Sequence, residues 1–245
     1  MENRNFKYLV LGLLLSFVLT VVAKNPTNET LGYTIRYGQI IGGKASISTT
    51  HREKDGKEMI FSEMKMQSTG SASSMFSINN TYSSYIDPVT FLPRKTIYKI
   101  SEQDMQYDDE VTFFQEDGNL FSNELGWDEF NGKILDAVSM ICNFRFSGQL
   151  NEMKPGEIFQ FSYWDINEVY TLKMRYCGVE EIQTSMGNYS CLKIEPVQVK
   201  GKDAEKRMPF SVWITNNEQK LPVLIQFSMK VGSIRCELDS IKGEG

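Results

Sequence analysis

The sequence predicts a mainly β protein, an antiparallel β-barrel or a strongly curved half-barrel of about a dozen strands with one short helix. Apolar and polar residues alternate with a period of two through most of the chain, as in strands that bury one face. Turn residues recur at short intervals, which favours antiparallel hairpins. A sheet of so many strands rarely stays flat, so we expect it to curl around an apolar interior.

The first three strands are predicted from two turn signals. Apolar residues alternate at 33–37 and again at 45–49, and the Gly-Gly pair at 42–43 is the expected turn between them. The Asp-Gly pair at 55–56 predicts a second tight turn, because both residues readily adopt positive backbone angles. A third strand is then expected over about residues 57–66.

The middle and the end of the chain continue the same pattern. Residues 68–74 are small and polar and predict a crossing loop, and the two prolines in 87–93 predict a turn between strands at 82–86 and 94–100. The remaining strands are expected at about 109–115, 158–165, 169–176, 179–184, 189–199, 209–215, 222–229 and 233–240.

One segment follows a helical period instead. From Ile134 to Arg145, apolar residues recur at spacings of three and four, which predicts one amphipathic helix. Gly148 and the Lys-Pro-Gly sequence at 154–156 are expected to end it and to begin the next strand. We therefore expect this helix to close or cap the sheet.

The closing hairpin is predicted to bury one side. Val212 and Ile214 share one face of its first strand, and Trp213 lies on the other. After a polar turn, the second strand carries a continuous apolar row at positions 223, 225, 227 and 229.

The first residues predict export. Arg4 and Lys7 precede an apolar run over 8–22, and Val21 and Ala23 suit a signal peptidase. We therefore predict a signal peptide at 1–23, cleaved near Ala23, and one β-barrel-like domain at 24–245 in the periplasm or outside the cell. The apolar run is shorter than the roughly 20 residues that span a bilayer, so no stable transmembrane anchor is expected.

Charge and motifs exclude several functions. The net charge of −5 gives no electrostatic reason to bind nucleic acid or an anionic membrane. His51 is the only histidine and no nucleophile elbow accompanies it, so we expect no catalytic site. Neither a metal-binding pattern nor a phosphate or dinucleotide loop occurs, so no metal and no cofactor are predicted.

The four cysteines have irregular spacing and leave two alternatives open. A register that turns at 185–188 places Cys177 and Cys191 poorly for a bridge. Cys142, Cys177, Cys191 and Cys236 are thus four buried thiols or include a disulfide, and the sequence does not decide between these.

The chain resembles a family of uncharacterised exported bacterial proteins, domain of unknown function 3108. The resemblance covers most of the predicted mature chain and rests on LGYTIRYGQIIGGKASI, SYIDPVTFLPRK, LDAVSMICNFR, MKPGEIFQF, MGNYSCLKIEP and VWITNNEQKLPVLIQFSMKVGSIRCEL. In the helix, Asp136, Ser139 and Arg145 match the family pattern, whereas Cys142 and Asn143 stand where it is usually aromatic. The resemblance implies export and a β fold, and it implies no activity.

A weaker similarity, at the level of the fold, links the tyrosine-rich first strand and the Trp-hairpin-Pro ending to periplasmic lipoprotein carriers. It implies a curved sheet around an apolar cavity. Fold similarity alone does not establish function.

The expected function is non-enzymatic binding of a lipid or another apolar ligand in a barrel cavity. The chain is 12% aromatic and has 12 methionines, side chains that suit either an adaptable cavity or an ordinary core. The candidate cavity walls are Trp213, Tyr163, Phe227 and Phe113. The alternative is a solid-cored module that binds an envelope protein through a sheet edge or a loop such as 200–207.

Overall fold

Strands account for most of the structure, a computed structural model that describes residues 28–70, 72–75, 77–197, 210–229 and 231–243. The predicted signal peptide at 1–23 and the polar loop at 200–207 lie outside the described residues. The strands are β1 (Glu29–Tyr37), β2 (Ile40–Lys54), β3 (Lys57–Ser68), β4 (Asn79–Ile86), β5 (Pro93–Glu102), β6 (Met105–Phe114), β7 (Asn119–Ser122), β8 (Gly126–Glu129), β9 (Ile134–Leu135), β10 (Ile158–Asp165), β11 (Glu168–Thr184), β12 (Gly187–Pro196), β13 (Phe210–Thr215), β14 (Pro222–Ser228) and β15 (Ser233–Gly243). The helices are α1 (Ala72–Met75) and α2 (Ala137–Phe146), and a 3-10 turn covers Gln149–Asn151.

The described strands form one 15-stranded sheet, so the predicted fold class is confirmed with more strands than expected. The sheet is an antiparallel meander in which β1 pairs with both β2 and β15, and β8 and β9 are its two edges. Among the described strands, only the short β9 pairs in parallel, with β10. In an antiparallel meander, every second connection between strands lies at the same end of the sheet. The turns after β1, β5, β10 and β14 lie at one end, which we call the upper end.

The two edges of the half-barrel are joined by side chains. Residues of β5, β6 and β7 pack against residues of β9 and β10 in one cluster, which we call the seam. The buried members of the seam are Tyr98, Ile100, Val111, Phe113, Leu120, Phe130, Ile134 and Trp164. The Gln115 side chain adds polar contacts, because its Nε2 donates to the Ile134 carbonyl at 3.1 Å and its Oε1 accepts from the Ile134 amide at 3.3 Å. The sheet is therefore strongly curved without being closed by a strand ladder.

Helix α2 lies inside the curve, where it is buried on most sides. Seven of its residues are buried, among them Met140 and Phe144, which pack on inner-face residues of β10 to β13. Arg145, near its end, forms an ion pair with Glu29 at the start of β1 and donates to the Gln219 carbonyl at 3.3 Å. These contacts place the helix at the lower end of the half-barrel.

The helix begins later than its periodicity predicts. Ile134 and Leu135 form β9 beside β10, and Asp136 is the residue that caps the helix. Its carboxylate accepts from the amides of Val138 and Ser139, each at 2.8 Å, and the Ser139 hydroxyl accepts from the Asp136 amide. This capping box fixes the first turn, so the apolar pair before it is free to pair as strand.

Two turn predictions had different outcomes. The Asp-Gly turn is confirmed, with φ of 53° at Asp55 and 72° at Gly56. The first hairpin exists, but it turns at residues 38–39, where Gly38 has a φ of 57°. Gly43 lies within β2 instead, where an added Cβ would be 2.5 Å from the Gln67 carbonyl oxygen. Its role is close approach of two strands, which local sequence does not reveal.

This difference predicts opposite results for neighbouring glycines. We expect Gly43→Ala to lower the free energy of unfolding by about 2 kcal/mol, because the Gln67 backbone must shift. Gly42→Ala is the matched control, since its Cβ would meet nothing nearer than 4.0 Å, and it should change stability by less than about 0.5 kcal/mol. Urea unfolding of both variants tests the assignment, and equal losses would contradict it.

Other differences concern strand number. The two strands expected at 169–176 and 179–184 are one strand, β11, whose register shifts at Gly178, with a φ of 104°. The short strands β7, β8 and β9 were not predicted, because segments of four or two residues carry too little alternation. The closing hairpin is confirmed as β13 and β14.

Candidate functional site

An apolar cavity of about 210 Å³ lies on the concave face of the sheet. Its walls come from both halves of the meander, from the first residue of α2 and from the turn after β10. The lining residues are Tyr33, Ala45, Ile47, Met64, Met66, Tyr82, Tyr98, Ala137, Tyr163, Trp164, Asp165, Ile166, Ile225, Phe227 and Cys236.

Strand register builds the main wall of the cavity. Ile47, Met64, Tyr82 and Tyr98 stand opposite one another across β2, β3, β4 and β5, so they form one row on the same face. The Tyr82 and Tyr98 rings meet edge to face, with centroids 5.7 Å apart. The cavity extends from Ala137 at the helix toward the upper end of the sheet.

Two lining residues carry buried polar atoms that lack a hydrogen-bond partner within the described part of the chain. These atoms are the hydroxyl of Tyr98 and the indole Nε1 of Trp164. The two side chains are almost fully buried, at 3% and 2% exposure. The Tyr33 hydroxyl, on the same cavity, is satisfied, because it donates to the Pro222 carbonyl at 2.9 Å.

The cavity wall is uncharged at neutral pH, apart from its upper rim. Burial, followed by the Asp136 carboxylate, raises the pKa of Tyr98 well above its usual value, and burial with Asp165 does the same for Tyr163. Burial raises the pKa of Tyr82 and of Cys236 to about 12. Among the described lining residues, the exposed Asp165 is the one acid, and none is lysine, arginine or histidine.

The four candidate wall residues from the sequence lie in three places. Tyr163 and Phe227 line the cavity together. Phe113 packs in the seam. Trp213 does not line this cavity; its Nε1 donates to Glu180 Oε2 at 2.7 Å, and the Lys193 ammonium lies 5.3 Å from its ring centroid.

Sequence reasoning did not select Tyr98 and Trp164. Tyr98 has a usable signal, since it alternates with Ile100 on the buried face of a predicted strand. Trp164 has none, because it meets the cavity only where distant edges of the sheet come together in the seam.

The histidine is paired with a carboxylate, and the four cysteines are free thiols. His51 Nδ1, in β2, is 2.9 Å from a carboxylate oxygen of Glu58. All four cysteines are free thiols, and burial raises the pKa of Cys142 to about 12 and of Cys191 to about 11, which opposes thiolate formation. Within the described ranges, no three His, Cys, Asp or Glu side chains are placed to hold a metal ion.

Comparison with known proteins supports the fold. The family model described as protein of unknown function (DUF3108) matches residues 32–239. Among solved structures, a β-barrel-like protein of domain of unknown function DUF1849 from Brucella abortus is 9% identical, with a TM-score of 0.57, and the match covers 89% of this chain and 98% of that one. This likeness shows a shared fold. No curated protein matches the chain.

Two further structures are similar with lower scores. A protein described as exported, with a YmcC-like fold, from Bacteroides fragilis is 11% identical over 89% of this chain and 97% of that chain, with a TM-score of 0.40. A DUF1089 family protein from Pseudomonas aeruginosa is 10% identical over 90% of this chain and 95% of that chain, with a TM-score of 0.37. In the described part of the present chain, no helix has the length and apolar character needed to cross a membrane.

Proposed function

The chain belongs to the family described as protein of unknown function (DUF3108), and from this premise we propose that it is an exported, non-enzymatic binding protein that holds an apolar ligand in its concave cavity. The observation that carries the proposal is the cavity of about 210 Å³. Well-packed interiors contain few voids larger than one water molecule. An apolar cavity of about 150 Å³ is large enough to bind benzene, so this one accommodates a ring or a short hydrocarbon segment.

The chemistry of the walls supports an apolar ligand. Aliphatic, aromatic and methionine side chains dominate the lining, and Met64 and Met66 are flexible enough to adapt to different shapes. The alternative, an envelope-binding module, requires a solid core, and a cavity of this size argues against that requirement. We propose export because of the signal-peptide pattern at 1–23. Intact mass spectrometry of protein from the native host should then give the mass of a chain that starts directly after Ala23.

Filling the cavity tests the proposal. We expect n-butylbenzene to shift the methyl NMR signals of Met64 and Met66 in the unmodified protein, because both side chains line the cavity. Ala45→Phe places a ring in this space and should weaken binding at least ~10-fold, since the ligand loses its room. Ser46→Phe adds the same ring to the opposite face of β2 and should leave binding unchanged.

Thermal unfolding of both variants shows whether each is folded before its affinity is interpreted. Equal affinity of the Ala45→Phe variant and the unmodified protein would place n-butylbenzene elsewhere. No methyl shift at a saturating concentration would count against ligand binding altogether.

A further inference from the structure

Two side chains that line the cavity, Tyr98 and Trp164, carry hydrogen-bond donors that have no partner among the described residues. The Nε1–H of an indole only donates, and a tyrosine hydroxyl both donates and accepts. Buried polar groups are nearly always hydrogen-bonded, and one left without a partner typically costs about 1–3 kcal/mol. Within the described part of the chain, the Tyr98 hydroxyl and the Trp164 Nε1 are exceptions, and both side chains line the same cavity.

The residues around these two donors favour an uncharged hydrogen-bond acceptor on the ligand. The described lining offers no cation, and the carboxylate of Asp165 stands at the upper rim. An anionic head group would therefore be buried among these residues without a counter-ion, which is unfavourable. A neutral oxygen avoids this cost, because it accepts hydrogen bonds without carrying a charge.

We propose that the ligand carries a neutral acceptor oxygen, such as that of an ester or a ketone, which pairs with Tyr98 and Trp164 while its hydrocarbon part fills the cavity. This inference rests on the proposed function and adds the chemical class of the ligand. A free fatty acid in its ionised form is a poor ligand under this scheme. A neutral lipid ester or another uncharged carbonyl compound is a good one.

Three probes of similar size separate these classes. Methyl phenylacetate is a neutral ester, 3-phenylpropanoate is the carboxylate of an isomeric acid, and n-butylbenzene has no oxygen. At neutral pH we expect the ester to bind at least ~10-fold more tightly than the carboxylate. The ester and the hydrocarbon differ in water solubility, so their affinities are not compared with each other. For each probe, the affinity for a variant is compared with the affinity for the unmodified protein.

The variants remove one donor at a time. Tyr98→Phe should weaken methyl phenylacetate about 10-fold and leave n-butylbenzene unchanged. Trp164→Phe also enlarges the cavity, so it should weaken the ester about 10-fold relative to its effect on n-butylbenzene. Tyr33→Phe is the matched control, because it removes a hydroxyl from the same cavity that is already paired with Pro222. Tyr33→Phe should change the affinities for methyl phenylacetate and for n-butylbenzene by the same factor. Tyr98→Phe should also leave the stability of the ligand-free protein undiminished, since the hydroxyl it removes has no partner among the described residues.

An NMR signal reports the proposed hydrogen bond directly. The chain has three tryptophans, and the indole signal of Trp164 is the one that disappears in Trp164→Phe. Methyl phenylacetate should move this signal downfield and n-butylbenzene should not. If n-butylbenzene binds but the ester neither moves the signal nor loses affinity in the variants, this inference is overturned and the proposed function stands. If none of the three probes binds, the proposed function itself fails.

Discussion

Asp136→Ala is expected to lower the free energy of unfolding by about 3–4 kcal/mol. The Asp136 carboxylate is almost fully buried and accepts from two amides at the start of α2. It also accepts from the hydroxyl of Ser84 at 3.1 Å and from that of Thr96. Alanine removes the helix cap and leaves several buried donors without their acceptor. The melting temperature should fall by about 10 °C.

Two further variants show whether these contacts are the cause. Asp136→Asn keeps a capping oxygen, and the two hydroxyls can accept from its amide, so it should lose only about 1 kcal/mol. Asp104→Ala, in the exposed turn after β5, should change stability by less than about 0.5 kcal/mol. Urea unfolding measures all three. An Asp136→Ala loss no larger than the Asp104→Ala loss would show that α2 is not held through Asp136.

Arg145→Met is expected to cost about 3–5 kcal/mol, because it leaves the Glu29 carboxylate buried without its partner. The two side chains are only 4% and 12% exposed. Their ion pair ties the end of α2 to the first strand, and the guanidinium also lies 4.6 Å from the Phe146 ring centroid. Thermal and urea unfolding measure the loss.

The double variant Arg145→Met with Glu29→Leu tests the cause of this loss. Replacing both charges by apolar groups removes the unpaired carboxylate, so at least half of the lost stability should return. The control is Arg94→Met, because Arg94 is one-third exposed in its ion pairs with Asp87 and Glu116, and it should lose less than about 1 kcal/mol. A double variant as unstable as Arg145→Met alone would contradict the role of the ion pair.

Local signals predicted much of the fold. The Asp-Gly pair at 55–56 forms its turn because the necessary backbone angles belong to those two residues. The Gly-Gly pair at 42–43 predicts a turn, but Gly43 lies within a strand, where the close approach of Gln67 from the next strand explains the glycine. Likewise, the pattern predicts separate strands at 169–176 and 179–184, but the structure has one strand with a register shift at Gly178. Errors arose where a partner distant in the sequence determines the conformation.

The cavity shows the same limit more strongly. Tyr163 and Phe227 are candidate wall residues from the sequence, and both line the cavity. Trp164 follows Tyr163 directly and should face the opposite side by simple alternation. It reaches the cavity because β10 packs across the seam against β5, β6 and β7. No pattern within one strand contains that information.

Native mass spectrometry of the protein purified from its own host tests the central claim most directly. The claim is that the concave cavity holds a neutral apolar molecule. We expect a fraction of the unmodified protein to carry an uncharged organic adduct that is released by an organic solvent. The Ala45→Phe variant should lack this adduct, and the Ser46→Phe variant should retain it. An adduct-free unmodified protein in repeated preparations, together with no methyl shift of Met64 on addition of n-butylbenzene, would contradict the claim.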